Sequence, residues 1–483
     1  MVRRNAGVGV LAATILGSAM PGIDATAVNV ALPILQREMR ASGDATQWVV
    51  EGYSLFLSAL ILVGGSLGDH LGRRRMFLWG VILFAAASLG CAIAQTMGQL
   101  IAARCLQGIG GALLVPESLA LITASFDERS RGAAIGTWSG FLAATMAIGP
   151  LLGGWLVQMY SWRLVFLINL PVALAVVSVT LACVAESRDP QAARRIDWLG
   201  ASLATAALGA LTYGFIALQD MRASAIGIRV VIGAVALLLA FIYVEHRSSA
   251  PMIPLGIFSS RTFTVANVYT LLLYAALGAA LFFVPFNLIN VQHYTPFQAG
   301  AALLPMIVLM FVSSRWSGAL VARIGARIPL TLGAAIAGFG FVLFALCGIG
   351  GSYWTTFFPA VLVLGIGTST FVAPLTTIVM NSAPQEHAGS ASGINNAISR
   401  VAGLLAIALL GIVVVAATRA ALPASVRNAL GTQSLITGHA AQPALRYAVE
   451  HAYVAGFRDA MLLCALLAWI SAAAAASLLP RER

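Results

Sequence analysis

Long apolar stretches separated by short polar connections run through almost the whole chain. A membrane-spanning helix needs about 20 mostly apolar residues, and that length predicts about fourteen such helices here. They are expected near residues 8–35, 46–67, 76–95, 98–124, 132–158, 164–185, 198–218, 227–245, 263–290, 298–320, 328–349, 354–380, 390–417 and 457–479. The pattern therefore predicts an all-α polytopic membrane protein.

Composition supports this prediction and excludes other classes. The 483 residues are 60% hydrophobic and only 9% charged, whereas soluble proteins are about 25% charged. The five cysteines and six histidines lack disulfide or metal-ligand spacing. The sequence also has no nucleotide-phosphate loop and no nucleophile elbow. We therefore expect no enzyme activity, no metal and no cofactor.

The arginines predict the orientation in the membrane. The net charge of +11 comes from arginines in short loops between apolar stretches. Topology signals and contacts with anionic lipid headgroups account for these arginines better than nucleic acid does. More of them lie on the inner side when the N-terminus is cytoplasmic. We therefore predict a multi-pass protein of the inner or plasma membrane with both termini in the cytoplasm.

The stretch Gly64–Arg75, GGSLGDHLGRRR, is predicted to be a cytoplasmic loop between two spanning helices. Its glycines allow helix ends to approach closely, and Asp69 can pair with an arginine or cap the next helix. A plain topology signal without any mechanism is the alternative. The candidate gating residues are Gly68, Asp69, Gly72, Arg73 and Arg74.

A similar spacing recurs at Gly318–Arg327, where Ala322 stands in place of the acid. This repeat predicts two six-helix bundles, at 1–186 and 251–483, with two inserted helices at 187–250. Parallel repeats of this kind hold a substrate cavity between them near the middle of the membrane.

Three charged residues fall within predicted spans of the first bundle. Asp24, Glu51 and Arg104 all lie at middle-to-outer depth, where a charge is costly and usually faces a cavity or a partner. Because burial penalises an ionised carboxylate, the cluster is a candidate for proton coupling or cation recognition. The alternatives are a neutral Asp24 bonded to a neighbouring helix and a Glu51 near the water interface.

The predicted fourth helix carries further polar groups. We predict that Gln107, one turn after Arg104, is a polar group of the cavity, together with Asn29. Glu117 lies about 20 Å along the axis from Arg104, so the two cannot pair. Glu117 is a candidate second titratable site on an inward path, or the partner of a loop arginine or a neighbouring helix.

The predicted fifth helix contains GPLLGGW, in which small residues allow close helix packing and a proline bends the helix. Packing accounts for part of this pattern, and a seam on which the halves rock is the functional interpretation. The residues concerned are Gly149, Pro150, Gly153 and Gly154.

Three further residues complete the candidates. Trp162 and Arg163 are expected to anchor the outer membrane interface. Arg400 is expected to be buried early in the thirteenth helix, where it needs an acceptor. A structural role for Arg400 and a contact with substrate both stay open.

Together the motifs resemble the fourteen-helix drug:proton antiporters of the major facilitator superfamily, the EmrB/QacA subfamily. The matching stretches are IDATAVNVALP, GDHLGRRR, RCLQGIGGALLVP, GPLLGG and WRLVFLINLP. The resemblance implies that Asp24 couples protons or recognises cations and that Arg104 takes part in proton movement. It also implies that the Gly-Pro pattern serves antiport and that the Asp69–Arg75 loop gates the conformational change. Ala322 departs from the pattern, so gating in the second half is expected to be weaker.

The leading functional prediction is a proton-coupled antiporter that exports amphipathic drugs or a small secreted metabolite by alternating access. The alternative is a uniporter or importer of a small metabolite on the same fold. The expected partners are the small-molecule substrate, protons and membrane lipids, with no nucleic acid, and the proton gradient is the energy source. We expect a monomer, and a periplasmic adaptor stays an open question.

Overall fold

A computed structural model describes residues 2–39, 43–188, 197–219, 224–248, 255–422 and 443–480. All regular elements in these ranges are helical. The α-helices are α1 (Val2–Glu38), α2 (Gly43–Leu71), α3 (Arg73–Ile93), α4 (Met97–Ser125), α5 (Glu128–Met159), α6 (Arg163–Leu167), α7 (Asn169–Cys183), α8 (Trp198–Gln219), α9 (Ser224–Arg247), α10 (Arg261–Phe286), α11 (Pro296–Ala302), α12 (Leu304–Ile324), α13 (Arg327–Ala345), α14 (Tyr353–Thr356), α15 (Phe358–Asn381), α16 (Ala388–Ala421) and α17 (Pro443–Leu478). Short 3₁₀ turns cover Leu255–Ser259 and Gln385–His387, and a π-helical turn covers Asn287–Val291.

Twelve helical segments in the described part of the chain are long and apolar enough to cross a membrane. The prediction of an all-α polytopic membrane protein is therefore confirmed. Helices α5 and α8 add segments of 32 and 22 residues. The main difference from the predicted positions is α17, which begins at Pro443 rather than near residue 457. Polar residues such as Glu450 interrupt the apolar run there, so hydropathy missed the first turns.

Prolines explain two interruptions within the predicted spans. Helix α6 ends at Leu167 and α7 begins at Asn169. Pro171 has no N–H, so the carbonyl of Leu167 loses its helical donor. Pro305 is the second residue of α12 and removes the helical donor to the carbonyl of Ala301, near the end of α11.

The chain forms two compact units, which are described separately. Unit 1 contains Met1–Gly214, Ile228–Thr264 and Thr376–Ala397. Unit 2 contains Phe215–Gly227, Val265–Leu375 and Ile398–Arg483. Unit 1 therefore holds α1 to α7, most of α8 and α9, the first turn of α10, the end of α15 and the first turns of α16.

Within unit 1, α4 packs closely against both α2 and α3. A Cβ added at Gly108 would lie 2.5 Å from the carbonyl oxygen of Tyr53 on α2. A Cβ added at Gly110 would lie 2.7 Å from the backbone nitrogen of Phe84 on α3. These glycines bring three backbones together, and the polar side chains of α4 lie among them.

Within unit 2, α13 packs along α17. Gly338 of α13 leaves room for the Trp469 ring of α17, which a Cβ would overlap. Helices α10 and α16 also meet backbone to backbone, because a Cβ at Gly278 would lie 2.8 Å from the Cα of Gly403. Small residues thus set the packing distances in this unit as well.

Candidate functional site

Asp24 and Arg104 form a buried ion pair in unit 1. Both side chains are 1% exposed or less, and an Arg104 N–H donates to the Asp24 carboxylate Oδ2. Asp24 comes from α1 and Arg104 from α4, so the pair joins two helices that are 80 residues apart in sequence. The predicted proximity of these two residues is therefore present in the structure.

Two side-chain amides donate to the second carboxylate oxygen. Gln107 Nε2 lies 3.2 Å from Asp24 Oδ1, and Asn169 Nδ2 lies 3.1 Å from the same oxygen. Both amides also donate to the Ser88 hydroxyl, at 2.7 Å and 3.2 Å respectively. Asp24 thus accepts hydrogen bonds from one guanidinium and two amides.

The Arg104 guanidinium is held from its other sides as well. It donates to the Val49 carbonyl at 2.9 Å and to Gln107 Oε1 at 2.7 Å. Its carbon lies 4.4 Å from the centre of the Tyr53 ring, a cation–π distance. A proton or a cation that neutralises Asp24 would therefore weaken a contact that holds several helices together.

Three other predicted site residues have mixed outcomes. Glu51 is half-buried on α2, and its place in the cluster stays a prediction. Asn29 lies on α1, but its side chain is outside the described residues. Arg400 lies on α16 and is half-buried rather than fully buried, and its predicted role also remains untested.

Glu117 is completely buried farther along α4. Neither of its carboxyl oxygens has a hydrogen-bond donor among the described residues. A Cβ at Gly68 of α2 would overlap this carboxyl, so Gly68 makes the space that Glu117 occupies. A buried carboxyl without donors is accommodated as the neutral acid, since an unpaired buried charge is far costlier.

Asp69 binds the first turn of α16. Its oxygens accept from the backbone N–H groups of Gly389 and Ser390 at 2.9 Å and 2.8 Å, and from the Ser390 hydroxyl at 3.0 Å. Backbone N–H groups at a helix N-terminus carry partial positive charge and attract a carboxylate. Asp69 therefore caps a helix that is more than 300 residues away in sequence.

Arg73 completes this contact. Its guanidinium donates to Asp69 Oδ1 at 2.8 Å and to the Gln385 carbonyl at 2.5 Å. Both Asp69 and Arg73 are buried. The stretch Gly64–Arg75, predicted to be a loop, is helical except at Gly72, because α2 continues to Leu71 and α3 begins at Arg73. Its residues Asp69 and Arg73 bind residues 385–390, the segment that leads into α16.

Gly72 and Arg74 have structural roles at the same loop. Gly72 has a φ of 111°, which an L side chain rarely adopts. The Glu186 carboxylate caps the start of α3 by accepting from the backbone N–H groups of Arg74 at 3.0 Å and Arg75 at 3.2 Å. The Arg74 guanidinium donates to the Leu181 carbonyl, near the end of α7, at 3.1 Å.

The second copy of the motif repeats this arrangement. Gly325 has a positive φ of 71°, as Gly72 does. Arg327 donates to the carbonyl of Ala476 near the end of α17, as Arg74 does at the end of α7. The sequence similarity between the two stretches therefore corresponds to a shared local structure.

The glycines of α5 make close contacts with α1. A Cβ at Gly149 would overlap Thr26, and a Cβ at Gly153 would lie 2.8 Å from the Cα of Ala27. Gly154 is half-buried, and the side chain of Pro150 is outside the described residues. Close packing is therefore part of the role of this motif, while its predicted part in antiport remains untested.

We expect Gly153→Ala to lower the free energy of unfolding by about 1–3 kcal/mol, because overpacking strains a close helix contact. Urea unfolding of the detergent-solubilised protein measures this change. Gly233→Ala on α9 is the matched control, since a Cβ there meets nothing within 4 Å. A Gly153→Ala variant as stable as the Gly233→Ala variant would contradict the close α1–α5 contact.

Sequence reasoning missed several contacts of unit 1. Arg131 is buried and donates to Asn381 Oδ1 at 2.7 Å, a contact that nothing in the sequence pattern indicates. The expectation that Trp162 anchors the lipid interface is wrong, because its ring is fully buried and donates to Glu38 at 2.8 Å. Arg163 donates to the carbonyls at the end of α3.

Comparisons with known proteins agree with this architecture. The family model described as Major Facilitator Superfamily matches residues 14–407. The multidrug resistance protein Stp of Mycobacterium tuberculosis is 35% identical over 84% of this chain and 75% of its own length. The tetracenomycin C resistance and export protein of Streptomyces glaucescens is 33% identical over 83% and 75%. The methylenomycin A resistance protein of Bacillus subtilis is 32% identical over 85% and 88%.

Solved structures show the same fold. The human organic anion transporter MFSD10 superposes with a TM-score of 0.63 at 14% identity, covering 96% of this chain and 99% of its own. The proton:xylose symporter XylE gives a TM-score of 0.60 at 13% identity, covering 97% and 95%. The molecule is therefore a helical membrane transporter. The chain belongs to the major facilitator superfamily.

Proposed function

We propose that the protein is a proton-coupled antiporter that exports amphipathic drugs or a small secreted metabolite by alternating access. The observation that carries this proposal is the buried Asp24–Arg104 pair inside unit 1. The resistance and export proteins named above support the direction of transport and the class of cargo. The proton gradient would supply the energy, so no cofactor is needed.

In this proposal Asp24 is the group that takes up and releases the proton or pairs with a cationic cargo. In the conformation described here, its carboxyl group pairs with the Arg104 guanidinium and accepts hydrogen bonds from Gln107 and Asn169. A proton on Asp24, or a cationic group of the cargo, would weaken its hold on Arg104. That release is the step that links binding to a change of conformation, since Arg104 also contacts α2.

Glu117 provides a second proton site in this proposal. Its carboxyl is buried without a donor in the described residues, and Asp69 and Arg73 are charged groups that act on it. Opening of the Asp69 contact would let water reach Glu117 and release its proton. The loop and the acid would then respond to the same conformational change.

The proposal also covers the arrangement in the membrane. We propose that α5 and α8 also cross the membrane, which with the twelve apolar segments would make fourteen spanning helices. Both termini would lie in the cytoplasm, and the excess of arginines on one side supports this orientation. Transport would be carried out by a single chain, and a periplasmic adaptor is a separate question for pull-down experiments.

Growth inhibition with and without the gene would first identify a cargo. In everted vesicles, an acid lumen is then expected to drive uptake of that cargo, about tenfold per pH unit for each proton exchanged, because about 1.4 kcal/mol corresponds to a factor of ten. Dissipating the pH gradient with an ionophore should abolish accumulation. Uptake that ignores the gradient and stops at equal concentrations on the two sides would favour the uniporter, and cargo loss from vesicles with an acid lumen would favour an importer.

A further inference from the structure

Asn169 lies where the helix is interrupted between α6 and α7, and its side chain is 2% exposed. We propose that Asn169 is a positioning residue that keeps Asp24 ionised and thereby sets the pH at which Asp24 takes up a proton. This inference deepens the proposed proton coupling and rests on it. Helix α4 contributes Arg104 and Gln107 to the contacts of Asp24, and Asn169 adds a hydrogen bond from a different helix, α7.

A hydrogen bond to the Ser88 hydroxyl orients the side-chain amide of Asn169. The Ser88 hydroxyl donates to the Phe84 carbonyl at 2.8 Å, which turns its oxygen lone pairs toward the two amides. One N–H of Asn169 then points to Ser88 and the other to Asp24 Oδ1. Both hydrogens of the amide nitrogen are used, so the donor orientation at Asp24 is fixed.

Gln107 is held in the same way from another side. Its Oε1 accepts from Arg104 at 2.7 Å and from the Cys91 thiol at 3.4 Å. Its Nε2 therefore faces Asp24 and Ser88 as a donor. Neither amide can accept the proton of a neutral Asp24 without giving up another bond, so together they disfavour protonation.

Three other helices bring titratable groups to the network around Asp24. Arg104 comes from α4, Cys91 from α3 and Tyr53 from α2. Helix α5 meets α1 through Thr145 and two glycines, which do not titrate. Arg104 is the cation of this set, and the amides of Gln107 and Asn169 add two hydrogen bonds to the Asp24 carboxylate.

Removing Asn169 should make Asp24 easier to protonate. A hydrogen bond to a charged group is worth enough that its loss raises the ratio of neutral to ionised acid roughly tenfold. A hydrophobic carbodiimide labels buried carboxyls in their neutral form, so peptide mass spectrometry can follow Asp24 directly. We expect about tenfold more labelling of Asp24 in Asn169→Ala than in the wild type at the same pH.

Glu117 is the internal reference, because it lies about 20 Å along α4 from the Arg104 level and its labelling should not change. Thr180→Val, a buried change on the same helix, should leave Asp24 labelling as in the wild type. Ser88→Ala should raise labelling in the same direction as Asn169→Ala. If Asn169→Ala does not fold, Asn169→Ser replaces it as the test.

Unchanged Asp24 labelling in a folded Asn169 variant would overturn the proposal. Equal increases at Asp24 and Glu117 would also overturn it, because they would report general loosening. The labelling needs neither cargo nor transport. A failure of proton-coupled efflux would therefore appear in the vesicle assay and not here, and the two proposals can fail separately.

Discussion

Arg104→Gln is expected to lower the free energy of unfolding by about 3–5 kcal/mol, because breaking a buried ion pair leaves an uncompensated charge. Asp24→Asn should destabilise by a similar amount, since it leaves the guanidinium buried without its carboxylate. The double variant Asp24→Asn with Arg104→Gln removes both charges and should recover most of the lost stability. Urea unfolding of the four purified proteins measures these differences.

Transport should behave differently from stability in the same set of variants. All three altered proteins lack an acid–guanidinium pair that can exchange a proton, so substrate-induced proton release from proteoliposomes should be absent in each. The double variant is the important case, because it separates folding from coupling. Normal proton release from a well-folded double variant or from Asp24→Asn would remove Asp24 from the coupling step.

Much of this pair could be predicted from the sequence. A charge inside an apolar run must find a partner, and that requirement alone singled out Asp24 and Arg104. Helical spacing placed Gln107 on the face of Arg104, and the structure shows these side chains in contact. Apolar length likewise predicted the helices, because hydropathy reports directly which segments avoid water.

The neutral members of the network could not be predicted in this way. Ser88 and Asn169 are ordinary residues of apolar helices, and nothing local marks them as neighbours of Asp24. Their role depends on which helices pack together, and that is a property of the fold. Glu186 was missed for the same reason, since its carboxylate caps α3 from a connection more than 100 residues away.

Helices α5 and α16 are capped in different ways, and the difference has physical consequences. Helix α5 begins at a cap of its own, Asp127, whose side chain accepts from the Ser130 N–H at 3.0 Å. The Ser130 hydroxyl and this N–H lower the pKa of Asp127 below its ordinary value. Helix α16 is instead capped by Asp69 from another helix. The cap that Asp69 of α2 provides for α16 is lost when α2 and α16 separate. The cap that Asp127 provides for α5 is directly connected to that helix and stays in place.

Asp69→Asn is therefore expected to slow initial efflux about tenfold, because about 1.4 kcal/mol of lost charge-assisted bonding corresponds to that factor. The asparagine side chain has no charge to hold the Gly389 and Ser390 N–H groups. Resting affinity for the cargo should stay unchanged, since Asp69 contacts α16 and Arg73. Initial rates in vesicles and equilibrium cargo binding to purified protein measure the two quantities.

Asp127→Asn is the matched control, because it makes the same chemical change at the N-terminus of a helix that caps itself. Its efflux rate should stay close to that of the wild type. A cysteine introduced at the buried Ser392 of α16 should react faster with maleimide in Asp69→Asn than in Asp127→Asn, as the start of α16 is released. Equal slowing by the two variants would mean that the effect comes from helix stability and not from the contact between α2 and α16. A change in cargo affinity alone would mean that Asp69 binds cargo and does not hold α16.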